Sequence, residues 1–382
     1  MKEPKLKIKK EGDYVLLALT MMLALFGLVM VFSASYYAAL SKFGDPYHYL
    51  LDDAMWKAIG IVLFIITANL DYHYYRLRFL PEAALIFGIV LLCLIFTPLG
   101  LTINHATRWL DFKVFTVMPG EVIKSCLIIF IADFYTKDPS KIRSFKRGIL
   151  PIVLIAGVCG FLIMKQPNLS TAGIVVLMVI GMMFVAGLQW RYILLAGGGL
   201  GGLFITIINM PQFAYMRERV EIAFDPFRDS LGSGYQPVQS ILALSSGGLT
   251  GVGIGHSIQK TFYLPEPQSD YILAIIGEEL GFIGLVILII VYLALIWRSI
   301  STAIRAKDYY GMMLAAGISL HLSLQVILNI AVVSASFFPT GVVLPFISLG
   351  GNATCLMLAE MGVLFNISRG RLDTLNSQQE KK

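Results

Sequence analysis

The sequence predicts an all-α polytopic membrane protein: ten transmembrane helices, with a large extracytoplasmic loop between helices 7 and 8. Three observations predict it. Of 382 residues, 57% are hydrophobic and only 14% charged, where a soluble domain carries about 25% charge. The apolar residues gather into runs near the roughly 20 residues that a bilayer crossing needs. Lysine and arginine alternate in density from one side of those runs to the other.

In chain order, a basic tail, 1–13, precedes a single membrane domain, 14–367, and a second tail, 368–382, follows it. The expected crossings are 14–36, 54–70, 79–100, 115–135, 149–164, 171–187, 190–210, 271–297, 309–335 and 341–367. The first is too long for a signal-peptide core and shows no clear small-residue cleavage site, so it is read as retained. Ten crossings place both termini on one side. Of the 30 lysines and arginines, 20 fall in the two tails, in 71–78, 136–148 and 298–308, and at Arg191, all on that same side. That side is therefore cytoplasmic. The net charge of +6 then reports topology and attraction to anionic lipid headgroups, and argues against nucleic acid as a partner. Cys93, Cys126, Cys159 and Cys355 sit in apolar runs without a C-x-x-C partner, as small core residues do.

One connection breaks the pattern of short loops. Residues 211–270 form an extracytoplasmic loop of about 60 residues, and a loop of such length in a compact fold is usually functional. It carries aromatic and aliphatic residues, alternating charges (Arg217, Glu218, Arg219, Glu221) and the glycine-rich SSGGLTGVGIGHS.

Charged groups inside apolar runs need a partner or a cavity, because each costs roughly 2.5–3.5 kcal/mol at the bilayer centre. Glu121 and Lys124, in PGEVIKS, lie at i,i+3 on one helical face. They form either a buried ion pair that joins helices or part of a cavity wall near the outer leaflet, since Pro119 marks the helix start. In Lys165–Thr171, Asn168 or Ser170 is a candidate N-cap. His321, Gln325 and Asn329 make an i, i+4, i+8 stripe suited to hydrogen bonds between helices, and Glu360 is a further buried carboxylate. In LPEPQSDYILAIIGEELGF, Asp270 stands at the mouth of the eighth crossing. It reads either as the N-cap, which suits the helix dipole, or as a solvent-reachable acid. Glu278 and Glu279 lie about 12–13 Å further along the helix and cannot both share its face, so they read as packing or cavity-lining groups.

Four ordered motifs resemble the SEDS family of shape, elongation, division and sporulation proteins. GYQPVQS through QKTFYLPEPQSDYILAIIGEELGF resembles its signature region, and TGVVLPFISLGGNAT its C-terminal motif. RWLDFKVFTVMPGEVIK is similar to its RW…QPSE-x-x-K motif, and KQPNLSTA to its QPDLGTA motif. The resemblance spans nearly the whole chain. GYQPVQS, QKTFYLPE and VFSAS lean towards the FtsW/SpoVE branch rather than RodA. The departures are Met118 and Gly120, where the family has Gln and Ser, and Asn168 and Ser170, where it has Asp and Gly.

The resemblance implies a peptidoglycan glycosyltransferase of the bacterial cell membrane, acting in division or sporulation, including at the septum. Such enzymes polymerise lipid II and release undecaprenyl pyrophosphate. Asp270 matches the family's essential aspartate, which implies the general base. The resemblance also implies a cationic partner for the leaving group, drawn from Arg108, Lys124, Arg217, Arg219 and Lys260. Glu121 joins this set as a cavity-wall residue, and Tyr235 and Gln236 as sugar contacts. No cofactor is certain; a divalent cation, Mg or Mn, is a candidate to share the leaving-group task. The implied protein partner is a class B penicillin-binding protein, a transpeptidase. The rival readings are a flippase or other transporter of lipid-linked precursors, and a non-catalytic divisome scaffold.

Overall fold

A computed structural model describes residues 11–103, 106–113, 115–210 and 214–370. The chain is predominantly helical. The basic tail 1–10 and the C-terminal residues 371–382 lie outside the described residues.

Helix α1 (Tyr14–Phe43) starts where the side chain of Asp13 accepts from Leu16 N at 3.2 Å, and ends at Gly44, whose φ is +72°. Asp13 is also clamped by Arg298, with Nη2 at 2.6 Å, which ties the start of the chain to a late helix. Helix α2 (His48–Asn69) begins six residues before the expected 54 and takes in Asp53 and Lys57, a buried i,i+4 pair at 2.5 Å. The pair neutralises itself within one helix, so two charges do not end the crossing. Helix α3 (Leu80–Leu94) leads to a three-stranded antiparallel sheet, β1 (Gly100–Ile103), β2 (Ala106–Asp111) and β3 (Thr116–Val117). The sheet takes both the end of the expected 79–100 crossing and the start of 115–135. Pro119 then opens α4 (Pro119–Lys137), as its fixed φ and missing N–H suit a first helical turn. Helices α5 (Leu150–Met164), α6 (Leu169–Val185) and α7 (Trp190–Ile208) follow. Asn168 caps α6 by accepting from Thr171 N at 3.3 Å.

The long connection is ordered by two further helices, α8 (Ala214–Phe224) and α9 (Tyr235–Ser246). Beyond them come α10 (Ile272–Ile304), α11 (Tyr309–Val333) and α12 (Asn352–Arg369). The expected crossing 341–367 therefore starts late. Residues 334–351 hold Pro339, Pro345 and three glycines and form no helix. Their carbonyls find side-chain donors instead: Tyr292 Oη donates to Pro345 O at 2.5 Å, and Asn329 Nδ2 to Val342 O at 2.7 Å.

Helix α10 breaks at Gly281 (φ +69°, ψ −171°), and the glycine-rich segment after α9 fills the break. Val252 N and Gly253 N donate to the carbonyls of Glu278 and Glu279, both at 3.0 Å. Phe282 N and Ile283 N donate to Gly248 O and Leu249 O at 2.9 and 3.1 Å. A helix can open inside a bilayer only where its freed backbone groups are satisfied by other protein groups or water; here backbone does it. The approach demands glycine: a Cβ on Gly251 would stand 2.1 Å from Glu279 O, and one on Gly281 would stand 2.3 Å from Gly251 N.

Among the described residues, four helical segments, Tyr14–Phe43, Phe145–Met164, Ile272–Ile304 and Tyr309–Val333, are long and apolar enough to cross a membrane, and Leu80–Leu94 and Leu169–Val185 are apolar but shorter. Many large apolar side chains on these helices face outwards, such as Leu25, Val29, Leu154, Ile287 and Ile290, as expected where lipid is the solvent. The chain is a multi-pass membrane protein. Cys126, Cys159 and Cys355 are buried and Cys93 is exposed; all four are free thiols.

Candidate active site

Asp270 lies in the irregular segment that runs from α9 to α10. The N-cap of α10 is Tyr271, and no side chain caps that helix. The N-cap reading of Asp270 is therefore corrected: one residue, Tyr271, separates it from the first helical residue, Ile272, and the Asp270 carboxyl is left for tertiary contacts. It packs against Gly341, where a Cβ would come within 3.0 Å of Asp270 Oδ2 and 3.5 Å of Arg108 Nη1. One small volume thus holds a carboxylate from the mouth of α10, a guanidinium from β2 and bare backbone from the α11–α12 connection.

Several contacts fix this arrangement. Asn329, on the last turns of α11, is buried and donates from Nδ2 to Asp270 O at 2.9 Å and to Val342 O at 2.7 Å. Leu349 N donates to Gln268 O at 2.9 Å. Arg108 Nη2 donates to Pro167 O, which draws the α5–α6 connection to the same place. Part of the Asp270 surface still reaches solvent. Burial lifts its carboxyl to about 6, with Arg108 pulling it down and Glu266 pushing it up. A carboxyl at that value is mostly ionised near neutral pH yet retains basicity, the compromise a general base needs.

The other two carboxylates of the stretch are spoken for. Glu278 accepts from Ser257 Oγ, from Ile258 N at 3.0 Å and from Gln259 N at 3.3 Å. Glu279 accepts from Ser33 Oγ at 2.7 Å and pairs with Lys260 Nζ at 2.7 Å, both partners buried. They pin the glycine-rich segment to α10, as the packing reading expects. The same geometry removes Lys260 from the pool of accessible cations. Glu121 and Lys124 form a buried pair at 2.8 Å, which fits the ion-pair reading. Glu360, on α12, accepts from Ser125 Oγ at 2.5 Å and meets His321 Nδ1 at 2.8 Å, so the polar stripe on α11 does join helices.

Arg217 is exposed on α8 and bonded to Glu221 at 3.0 Å; the Arg219 side chain lies outside the described residues. Tyr235 and Gln236 are half-buried at the start of α9. Among the described residues there is no group of three or more His, Cys, Asp or Glu that could hold a metal ion. Sequence reading missed Gly341, Ser33 and the Asp53–Lys57 pair. Only the last had a local signal, opposite charges four apart beside an apolar run.

The family model described as "Cell cycle protein", FtsW/RodA/SpoVE, matches residues 13–372. Stage V sporulation protein E of Bacillus subtilis (strain 168) is 38% identical over 363 residues, covering 94% of this chain and 98% of its own. The probable peptidoglycan glycosyltransferase FtsW of Geobacter sp. (strain M18) is 37% identical over 358 residues, covering 93% and 96%. Among solved structures, a chain from a peptidoglycan synthase complex, described as coordinating polymerization and crosslinking, superimposes with a TM-score of 0.77 at 25% identity, covering 95% of this chain and 99% of that one. The rod shape determining protein RodA of Thermus thermophilus shares the fold, with a TM-score of 0.69 at 22% identity, covering 95% and 98%.

Proposed function

The chain belongs to the cell cycle protein family that takes in FtsW, RodA and SpoVE, and from that membership we propose that it is a peptidoglycan glycosyltransferase that polymerises lipid II, with Asp270 as its general base. The observation that carries the assignment of chemistry is the placement of a half-buried aspartate beside a guanidinium, on irregular backbone at the mouth of α10.

The C4 hydroxyl of an acceptor GlcNAc attacks C1 of the donor MurNAc. Asp270 takes the hydroxyl proton as the new β-1,4 bond forms. The bond from C1 to the diphosphate breaks, and undecaprenyl diphosphate leaves with the electron pair. A single displacement turns an α-linked donor into a β-linked product, so one base is needed and no protein nucleophile. Positioned bases of this kind contribute typically 10²–10⁴ in rate. Arg108 holds Asp270 in its ionised form before proton transfer and supplies positive charge where the diphosphate departs. A divalent cation at this face would take its protein oxygens from Asp270 or Glu266 and the rest from the substrate's phosphates, the way Mg²⁺ is commonly held.

Ten crossings, cytoplasmic termini and an extracytoplasmic 211–270 segment put this site at the outer surface, where a lipid-anchored disaccharide can reach it. A class B penicillin-binding protein is the expected partner, and the division septum the expected location. The assay is polymerisation of lipid II by purified protein, alone and with the transpeptidase. Asp270→Asn should fold and insert but lose polymerisation at least 100-fold. Retained activity removes Asp270 from the role. A variant that moves labelled lipid II across vesicles without making glycan favours the transporter reading, and one silent in both assays but competent in cells favours a scaffold.

A further inference from the structure

The cations named from sequence for the leaving group are mostly engaged elsewhere: Lys124 and Lys260 are buried in ion pairs, and Arg217 is bonded to Glu221 on α8. Among the described side chains of that set, Arg108 stands beside Asp270, and it donates to the carbonyl of Pro167, which lines a cleft. We propose that the cleft bounded by Thr102, Thr107, Lys165 and Pro167 binds the diphosphate of the lipid-linked substrate and of its released product. The proposal rests on the glycosyl-transfer reading of Asp270 and adds a subsite to it.

The cleft measures about 350 Å³ and lies between the end of α3, the β1–β2 hairpin and the α5–α6 connection. That volume is within the range of small-molecule sites. Its charged wall is Lys165, exposed at the end of α5, with its ammonium 5.0 Å from the centre of the Phe161 ring. An aromatic face orients a cation without cancelling its charge, and among the described residues no carboxylate is paired with Lys165. The Thr102 and Thr107 hydroxyls lie 2.7 Å apart. When one of two hydroxyls donates to the other, one O–H is left to donate outwards.

Position decides the ligand. Pro167 lines the cleft, and its carbonyl accepts from Arg108 Nη2 while Arg108 Nη1 sits with Asp270 against Gly341. Arg108 thus spans from the base to the cleft wall. Arg108 is the extra residue of an irregularity in the β1–β2 pairing, where Leu101 faces Trp109 and Thr102 faces Thr107, and such a bulge re-aims a side chain; it is the side chain that links Asp270 to the Pro167 wall of the cleft.

The test is direct binding of undecaprenyl diphosphate to the full-length chain in nanodiscs, comparing wild type with Lys165→Gln and Lys165→Arg. Lys165→Gln should bind about tenfold more weakly, the effect of one charge-assisted contact. Lys165→Arg should stay within about threefold of wild type, since the charge is kept. Undecaprenol, which lacks phosphate, should bind all variants alike. Unchanged affinity in Lys165→Gln overturns the proposal, and so does an equal loss of undecaprenol. Phosphatidylglycerol separates the two sources of phosphate: if adding it to the nanodisc competes the diphosphate off wild type but not off Lys165→Gln, the cleft belongs to phospholipid headgroups and the proposal falls. Polymerisation by Asp270→Asn would sink the glycosyl-transfer reading instead, and would leave the binding result standing.

Discussion

Replacing Asp270 by asparagine removes a charge and keeps the shape, so it separates what the carboxylate does for catalysis from what it does to the fold. Burial raises this group from 3.8 to about 6. A shift of about two units corresponds to about 3 kcal/mol between its protonation states. The sign follows from proton uptake. The native state binds the proton more tightly than the unfolded chain, so ionised Asp270 destabilises the fold whenever pH exceeds the native value. The penalty is complete above about pH 7, shrinks as pH falls through 6, and vanishes below about 4, where both states are protonated. Asp270→Asn should therefore be dead in lipid II polymerisation and yet melt roughly 2–5 °C higher than wild type at pH 8. Thermal unfolding in detergent, followed by tryptophan fluorescence at pH 8, 6.5 and 5, measures the gap, which should narrow towards pH 5. A variant that melts at or below wild type at pH 8 would refute the claim that the site holds its base at a cost in stability. The wild-type polymerisation rate should fall as pH drops through about 6, as the base takes up its proton.

Three further perturbations probe the supports. Gly341→Ala puts a methyl 3.0 Å from Asp270 Oδ2 and 3.5 Å from Arg108 Nη1, and Asn329→Ala removes the donor shared by Asp270 O and Val342 O; each should lower kcat about 10- to 100-fold with little change in KM, as read in steady-state polymerisation. Lys260→Met leaves Glu279 buried without its cation and should destabilise by about 3–5 kcal/mol, most of it recovered in Lys260→Met/Glu279→Gln, as judged by melting temperature. Gly251→Ala, at φ +83° with Glu279 O 2.1 Å from the new methyl, should prevent the segment from docking in the α10 break, whereas Gly255→Ala, at φ +85° in open space, should cost only about 1–2 kcal/mol; yield of monodisperse protein ranks the two.

The helices were legible because apolar composition is read over many residues at once, and a lipid-facing helix cannot hide its character. Their ends were less so. Residues 334–351 look apolar enough to continue a crossing, but carbonyls there are taken by Tyr292 and Asn329 from other helices, which no local pattern announces. The division among the three carboxylates was legible from spacing: Asp270 sits apart from Glu278 and Glu279 along the helix. The partners that settle it, Ser33 and Lys260 on Glu279, lie 246 and 19 residues away in the chain. Gly341 carries no chemistry of its own and gave no signal as a site residue; its value is the side chain it lacks.

The α10 break and the Asp270 carboxyl belong to one construction. A charge-bearing site near a bilayer needs backbone that can bend, and bent backbone there needs donors and acceptors from elsewhere. The glycine-rich segment meets that demand at Gly281, and in doing so carries Ser257 and Lys260 to Glu278 and Glu279. Those contacts anchor both ends of the chain that leads to Asp270: residues 257–260 before it and the first turns of α10 after it. Asn329 then holds the Asp270 backbone from the side of α11. Asp270 is thus placed by an irregular stretch braced on both sides, so rigidity there comes from one buried charge pair, the hydrogen-bonded Glu278 and one amide rather than from the helix that follows it. Loosening Asn329, the brace on the Asp270 backbone itself, should act on catalysis before it acts on the fold, and that ordering distinguishes a positioned base from a buried carboxylate that merely fills space.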